Sequence, residues 1–331
     1  MIGWYVHAHG RGHLQRLQCI AAHLRTPVTV LSSLARPADW DGDWVQLPDD
    51  LPTGTDTGTD TDPTAGGTLH WAPLHHPGLR DRSAAVAAWI ADARPALVVV
   101  DVSVEVAVLV RAMGVPVVVA AMRGDRTDRA HSTAYDLADA LLAPWPADLP
   151  EPWPSRWLDK TWHVGALSRL DGREATPPPG GRRVAVLWGS GGSDIDLDDV
   201  AAAAAATPGW TWDDRGMRGT ATDAWALLED ADVVVTHGGQ NAVAEVAAAR
   251  RPAVVVPQER PHDEQHATGR ALAAGGFALV RDWPQTQEWT AVLEAALQQD
   301  VSRWARWNDG AGAARAAGLL DARVEVLCAP R

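Results

Sequence analysis

The chain is short of cysteine: of its 331 residues only Cys19 and Cys328 carry a thiol, and they stand at opposite ends. With no C-x-x-C pair and no Cys/His ligand spacing, the sequence indicates neither a disulfide framework nor a zinc site, and a reducing compartment fits best. Positive charge is also scarce. Against 42 Asp and Glu stand 29 Lys and Arg, Lys160 being the single lysine, which gives a net charge of −13 and a pI near 5.3. That balance argues against a nucleic-acid surface, because duplex binding relies on clustered cations that release counterions. Nor is there an unbroken apolar run: ALVVVDVSVEVAVLVRAMGVPVVVAAM is interrupted by Asp101, Glu105 and Arg111, charges too costly for a bilayer-spanning helix. The first residues lack the cationic start and apolar stretch of a signal peptide, so a cytoplasmic protein is expected, with docking on a membrane surface left open.

Hydrophobic residues make up 46% of the chain, enough for a substantial core in each of about two domains. Short β-branched runs alternate with Ala/Leu-rich helical stretches, the pattern of βαβ units and a parallel sheet. The pattern occurs twice. IGWYVHA, PVTVLSS, ALVVVD and PVVVAAM read as strands of a first half, with RRVAVLWGS, DVVVTH and PAVVVP as strands of a second. Pro- and Gly-rich text separates them, so the sequence predicts two α/β doubly wound, Rossmann-like domains facing across a cleft: 1–165, a linker at 166–182, and 183–331. The Asp-spaced stretch LPTGTDTGTDTDPTAGG (51–67) reads as a solvated loop and only superficially as a metal motif.

In such sheets ligands sit outside the carboxyl ends of the strands, so those ends are read first. The segment THGGQNAVAE (236–245) places His237 at a strand end, Gly238 and Gly239 at the turn, and Gln240 and Asn241 in the opening of a helix. Glycines before a helix N-terminus offer backbone N–H groups and about half a positive charge to a phosphate. Asn241 and Glu245 are i,i+4 neighbours, which sets the carboxylate one turn deeper. A second candidate phosphate loop, with Gly189, Ser190, Gly191, Gly192 and Ser193, follows the first strand of the second half, and Asp194 and Asp196 then read as helix-capping residues. In the first half, YVHAHGRGHLQRLQ does not match G-x-G-x-x-G, so a dinucleotide fingerprint is not supported. Its His7, His9 and His13 surround a turn near the strand end at Asp101. The stretch MRGDRTDRAH (122–131), with Arg123, Arg126 and His131, reads as a solvated charged loop.

The thirty residues THGGQNAVAEVAAARRPAVVVPQERPHDEQ resemble the donor-binding signature of GT-B-fold glycosyltransferases, both the UDP-glycosyltransferases and the N-acetylglucosaminyltransferase of peptidoglycan synthesis. The resemblance implies that His237, Gly238 and Gly239, with Gln240 and Asn241 in the same turn, bind a diphosphate, Glu245 a ribose, and Asp263 and Gln265 the hydroxyls of the transferred sugar. Glu264 separates that last pair and is the alternative carboxylate. Ala242 stands where many relatives have Ser or Thr, which removes a hydroxyl contact to phosphate. By position the residue after Gly12, His13, would be the base that deprotonates an acceptor hydroxyl, with Asp101 holding its imidazole; Gly12 and Arg16 would border the acceptor, Arg16 standing where relatives often have Pro. Arg218 is a candidate contact to the base. The implied activity is transfer from a nucleotide diphosphate sugar, carried by UDP or dTDP, to a small-molecule or lipid-linked acceptor, with inversion and without metal or other cofactor. A nucleotide-sugar 2-epimerase of the same fold and a non-catalytic nucleotide-binding subunit are the alternatives.

Overall fold

Short runs of Val, Ile and Leu, too apolar to leave either face to water, form two parallel sheets. In the computed structural model residues 1–8, 12–51, 62–188, 194–219 and 223–329 are described. The first sheet is built from β1 (Ile2–Val6), α1 (Gly12–Ala21), β2 (Val28–Ser32), β3 (Asp43–Gln46), α2 (Pro77–Ala93) and β4 (Leu97–Asp101). It continues through α3 (Val104–Ala112), β5 (Val117–Ala120), α4 (Arg129–Leu137), β6 (Ala140–Ala143), α5 (Ser155–Leu158) and β7 (Thr161–His163). The second unit runs β8 (Arg183–Leu187), α6 (Leu197–Ala206), β9 (Thr211–Asp213), α7 (Ala224–Glu229), β10 (Val233–Thr236), α8 (Gln240–Ala248), β11 (Ala253–Val255), α9 (Glu264–Gly275), β12 (Leu279–Val280) and α10 (Trp289–Ala296). Two further helices, α11 (Trp304–Trp307) and α12 (Gly312–Cys328), close the chain.

Strand order is β3-β2-β1-β4-β5-β6-β7 in the first sheet and β12-β11-β10-β8-β9 in the second. Each sheet therefore reverses direction once, between β1 and β4 and between β8 and β10, and a crevice opens at the carboxyl ends of those pairs. Register places Asp101 beside Val6, and Thr236 beside Leu187. The sequence reading omitted β3, β6, β7, β9 and β12.

Several helices that follow a strand are capped by a side chain: Ser103 accepts from Val106 N, Asp128 from His131 N, and Asp223 from Trp225 N. Asp196, expected to cap, forms a full capping box with Asp199 at the start of α6. Asp194 instead accepts from the Glu259 N–H at 3.2 Å.

The last helix departs from the expected partition. Ala313, Ala316, Ala317, Leu320 and Val324 lie on one stripe of α12 and pack with Ile2, Trp4, Leu17 and Ile20 of the first unit, so the chain's end belongs to the first sheet rather than the second. Asp321 fixes this return: its Oδ1 accepts from Thr26 N at 3.0 Å and its Oδ2 from Arg25 N at 3.1 Å. Replacing Asp321 by Ala leaves both amides without an acceptor and is expected to cost about 1–3 kcal/mol, read as a lower urea midpoint at unchanged slope. An unchanged midpoint would show that apolar packing alone holds α12.

Candidate active site

Asp101 ends β4 fully buried, where an ionised carboxylate survives only with donors around it. Two are present on one oxygen: His13 Nδ1 lies 2.8 Å and Arg16 Nη1 2.6 Å from Oδ1. Burial pushes the carboxyl pKa up, but the Arg16 guanidinium and the His13 ring outweigh it and hold Asp101 below the usual carboxylate range. The ionised acid fixes the His13 tautomer, with the proton on Nδ1 and the Nε2 lone pair free for a reactant. His13 lines a cavity of about 260 Å³ that also touches Arg126, Tyr135, Arg260, His262 and Glu264. The expected convergence of His13 and Asp101 is thus present. His7 is partly buried, its ring 6.2 Å edge-on from that of His13.

Arg16 departs from the acceptor role expected of it. Its guanidinium is 5% exposed and spans from Asp101 to Gln240 Oε1 at 2.6 Å, tying the first unit to α8 of the second. Gly12 lies under Asn241, whose Nδ2 would be 3.0 Å from any β-carbon at position 12. Both residues therefore serve the contact between lobes.

Helix α8 starts at Gly239 without a side-chain cap, so its first N–H groups have no partner in the helix or from a capping side chain. The two glycine amides are not bare, however. Gly238 N–H donates to Gln265 Oε1 at 2.9 Å and Gly239 N–H to His237 Nδ1 at 3.0 Å. The open donors thus move one step into the helix, to the first-turn amides and to Gln240 Nε2, a buried nitrogen without a hydrogen-bond partner among the described residues. His237 packs edge-on to Trp188 at 5.6 Å, and burial, with Arg260 adding to it, pulls its pKa down to about 4. It is neutral at pH 7, a dipolar donor rather than a cation.

Gln265 is 5% exposed and also accepts from Gln258 N at 3.0 Å, so it is an internal strut and not an open ligand for a sugar. Two consecutive left-handed residues, His262 (φ 63°) and Asp263 (φ 57°), redirect the chain before α9. As a result Asp263 turns outward to Arg270 Nη2 at 2.7 Å, while Glu264 faces the cavity 3.6 Å from Arg126. Of the two, Glu264 lines the cavity beside His13 and Asp263 does not. Burial raises the Glu264 pKa, opposed by Arg126, Arg16 and His13. Glu245, expected to meet a ribose, is 5% exposed and pairs with Arg169 of the linker at 2.8 Å, because the Asn241–Glu245 face of α8 turns toward the first unit.

The segment 122–131 is no solvated loop. Arg123 is 2% exposed, bonded to Glu151 and stacked 4.8 Å over Trp145; Arg126 is 4% exposed and donates to the Arg123 carbonyl at 2.7 Å. Most of the tryptophans are buried in the core, Trp4, Trp145, Trp157, Trp289 and Trp304 among them. Arg218 is forked onto Asp214 at 2.8 and 2.9 Å and half exposed, which gives it a local partner rather than a base. Gly189, Ser190, Gly191 and His9 lie outside the described residues. The sequence reading passed over Arg260 and His262, which come to the cavity from the segment between β11 and α9, and His70, which comes from the segment before α2.

Residues 221–306 match the model of the glycosyltransferase family 28 C-terminal domain. A UDP-N-acetylglucosamine–N-acetylmuramyl-(pentapeptide) pyrophosphoryl-undecaprenol N-acetylglucosamine transferase of Nocardioides sp. is 39% identical over 84 residues, 25% of this chain and 23% of that one. An uncharacterized glycosyltransferase of Methanopyrus kandleri is 35% identical over 96 residues, 28% and 27% of the two chains. The matched segment spans about a quarter of the length of these curated relatives. The whole chain superposes on the glycotransferase of kitacinnamycin with a TM-score of 0.67 at 18% identity, covering 97% of this chain and 98% of that one. MurG of Acinetobacter baumannii gives 0.60 at 14% identity, covering 98% of each. The chain has the GT-B fold of these structures, and the family match is confined to residues 221–306. Among the described residues no helix is long and apolar enough to cross a membrane.

The neutral state of His237 has a pH consequence. The folded chain keeps this ring unprotonated down to about pH 4, whereas the unfolded ring takes a proton near 6.5. The unfolded state therefore binds more protons across that window, and stability falls as pH drops from about 6.5 to about 4. Urea midpoints at pH 7 and pH 5 should differ less in His237→Asn than in the unaltered chain; equal differences would show that His237 is not held neutral.

Proposed function

We propose that this protein transfers a sugar from a nucleotide diphosphate sugar, carried by UDP or dTDP, to an acceptor hydroxyl with inversion at the sugar carbon. The observation that carries the reading is the His13–Asp101 pair, which faces the uncapped end of α8 across the cleft. His13 Nε2 removes the acceptor proton as the oxygen attacks, and Asp101 steadies the imidazolium that forms. The opposite charge develops on the leaving diphosphate. The first-turn helix amides and the Gln240 side chain would stabilise it there with little reorganisation and no demand on a metal at the diphosphate. The acceptor occupies the cavity beside His13, with Glu264 and Arg126 at its wall. The matched relatives, named as glycosyltransferases, support the reaction class. The acceptor is a small molecule or a lipid-linked one.

A second reading, epimerisation of a nucleotide sugar, is favoured by one observation: a partly buried carboxyl with raised pKa, Glu264, sits in the same cavity. Product analysis separates the two, since transfer yields a new glycoside and epimerisation a rearranged sugar with no acceptor dependence.

Thermal shift against UDP, dTDP, GDP and CDP should show stabilisation by UDP or dTDP, because a ligand selective for the folded state raises its melting temperature. In turnover assays His13→Ala should lower kcat/KM by roughly 10²- to 10⁴-fold while keeping the nucleotide-induced shift. Full activity of that variant would remove His13 from the mechanism.

A further inference from the structure

Four side chains that take no part in the proposed proton transfer meet at the mouth of the cleft, and three of them, His70, His131 and His262, line the cavity beside His13. His70 precedes α2, Asp128 and His131 open α4, and His262 comes from the other lobe. Their ligating atoms all lie within 4.8 Å of one another. Asp128 is central: its Oδ1 is 3.5 Å from His70 Nε2, and its Oδ2 is 2.5 Å from His131 Nδ1 and 3.6 Å from His262 Nδ1. The His70 and His131 rings are 4.4 Å apart, and those of His131 and His262 4.5 Å.

We infer that His70, Asp128, His131 and His262 form a binding site for one divalent transition-metal ion, of the zinc class, that bridges the two lobes. Metal–ligand bonds of about 2.0–2.2 Å in a tetrahedron set neighbouring donor atoms roughly 3.4 Å apart, so two of the three separations at Asp128 already fit. The third is a hydrogen bond. His131 Nδ1 must surrender it by shifting its proton to Nε2, which also opens the 3.3 Å contact between that nitrogen and Arg126 Nη1. Arg126 stays in place through the Met122 and Arg123 carbonyls and Glu264. His70 Nε2 adds a further pointer: it is a buried ring nitrogen that meets no partner in hydrogen-bond geometry among the described residues, although it lies 3.5 Å from the Asp128 carboxylate.

The supports are in place on each side. Glu105 Oε1 accepts from the backbone N–H of His70 at 2.7 Å and of Trp71 at 2.9 Å, which fixes the His70 loop. Asp128 caps α4 through His131 N, so capping and ligation share one carboxylate. The His262 carbonyl accepts from Asp125 N at 2.8 Å, and it passes so close to Gly124 that a β-carbon there would lie 2.2 Å from it. Gly124 also sits at φ 99°, so this contact between lobes requires glycine twice over. Three imidazoles and one carboxylate form a donor set that selects Zn²⁺, Co²⁺, Ni²⁺ or Cu²⁺ over Mg²⁺ and Ca²⁺, which prefer all-oxygen shells. An ion here lies outside the diphosphate site and links His262 to the lobe that carries His13.

Untagged protein titrated with Co²⁺ tests the assignment. The expected result is one cobalt per chain with the intense visible bands of a tetrahedral ion, displaced by Zn²⁺ and unaffected by Mg²⁺. His262→Ala and His70→Ala, each checked for an unchanged circular dichroism spectrum, should weaken binding by more than the roughly 10- to 100-fold typical of losing a supporting residue. Should one variant fail to fold, the other still decides. Binding that survives both substitutions, the pale spectrum of a six-coordinate ion, or no stoichiometric uptake would overturn the site.

Discussion

The architecture of the cleft depends on keeping a negative charge at the buried end of β4. Asp101 is fully enclosed, one of its oxygens accepts from both His13 and Arg16, and its Oδ2 is buried without a hydrogen-bond partner among the described residues. A carboxylate in that position is tolerable only while the guanidinium remains, since removing one member of a buried ion pair leaves an uncompensated charge costing about 3–5 kcal/mol. Arg16 then reaches Gln240 across the gap. One buried charge therefore sets three things together: the His13 tautomer, the position of α1, and the docking of α8.

The two sheets were legible because their central strands are continuous Val, Ile and Leu runs, and the crevice position followed from doubly wound topology. Of the strands that escaped notice, β6 is a fully buried ALLA with no β-branched residue to set it apart from helical text, and the others are short or half-exposed. β9 has three residues and β12 two, and neither β3 nor β7 holds a buried residue, so no apolar period could develop in them. α12 illustrates a different limit. Its apolar stripe is readable as a helix, but nothing in a stripe says which sheet it covers.

Within the site, the sequence identified residue types better than directions. His13 and Asp101 were placed correctly because strand ends and helix starts determine where they lie. Asp263 and Glu264 were indistinguishable because their orientation hangs on two left-handed residues, neither of them glycine, that no local pattern announces. Gln265 and Glu245 have the expected types but spend their polar groups inside the protein, on Gly238 and Gln258 in one case and on Arg169 in the other. The His70, Asp128, His131 and His262 cluster escaped notice for a related reason: Asp128 and His131 are a local i,i+3 pair at the start of α4, but His70 and His262 join them only through tertiary structure, from distant segments and two lobes.

The two glycine amides that turned out to be occupied bear on how an anion would be held. An N–H buried without an acceptor costs about 1–3 kcal/mol, so a turn that left Gly238 and Gly239 empty would be unstable without ligand. Gln265 and His237 remove that penalty and, in doing so, fix the turn from β10 into α8. The amides that remain are those of the first helical turn, already oriented by the helix itself. Because Ala242 contributes no hydroxyl, an anion placed there would meet helix amides and Gln240 rather than a hydroxyl at that position. A site of that kind gains its strength from backbone held rigid before the ligand arrives, and the same internal bonds that deny two donors to the ligand are what make the others stationary.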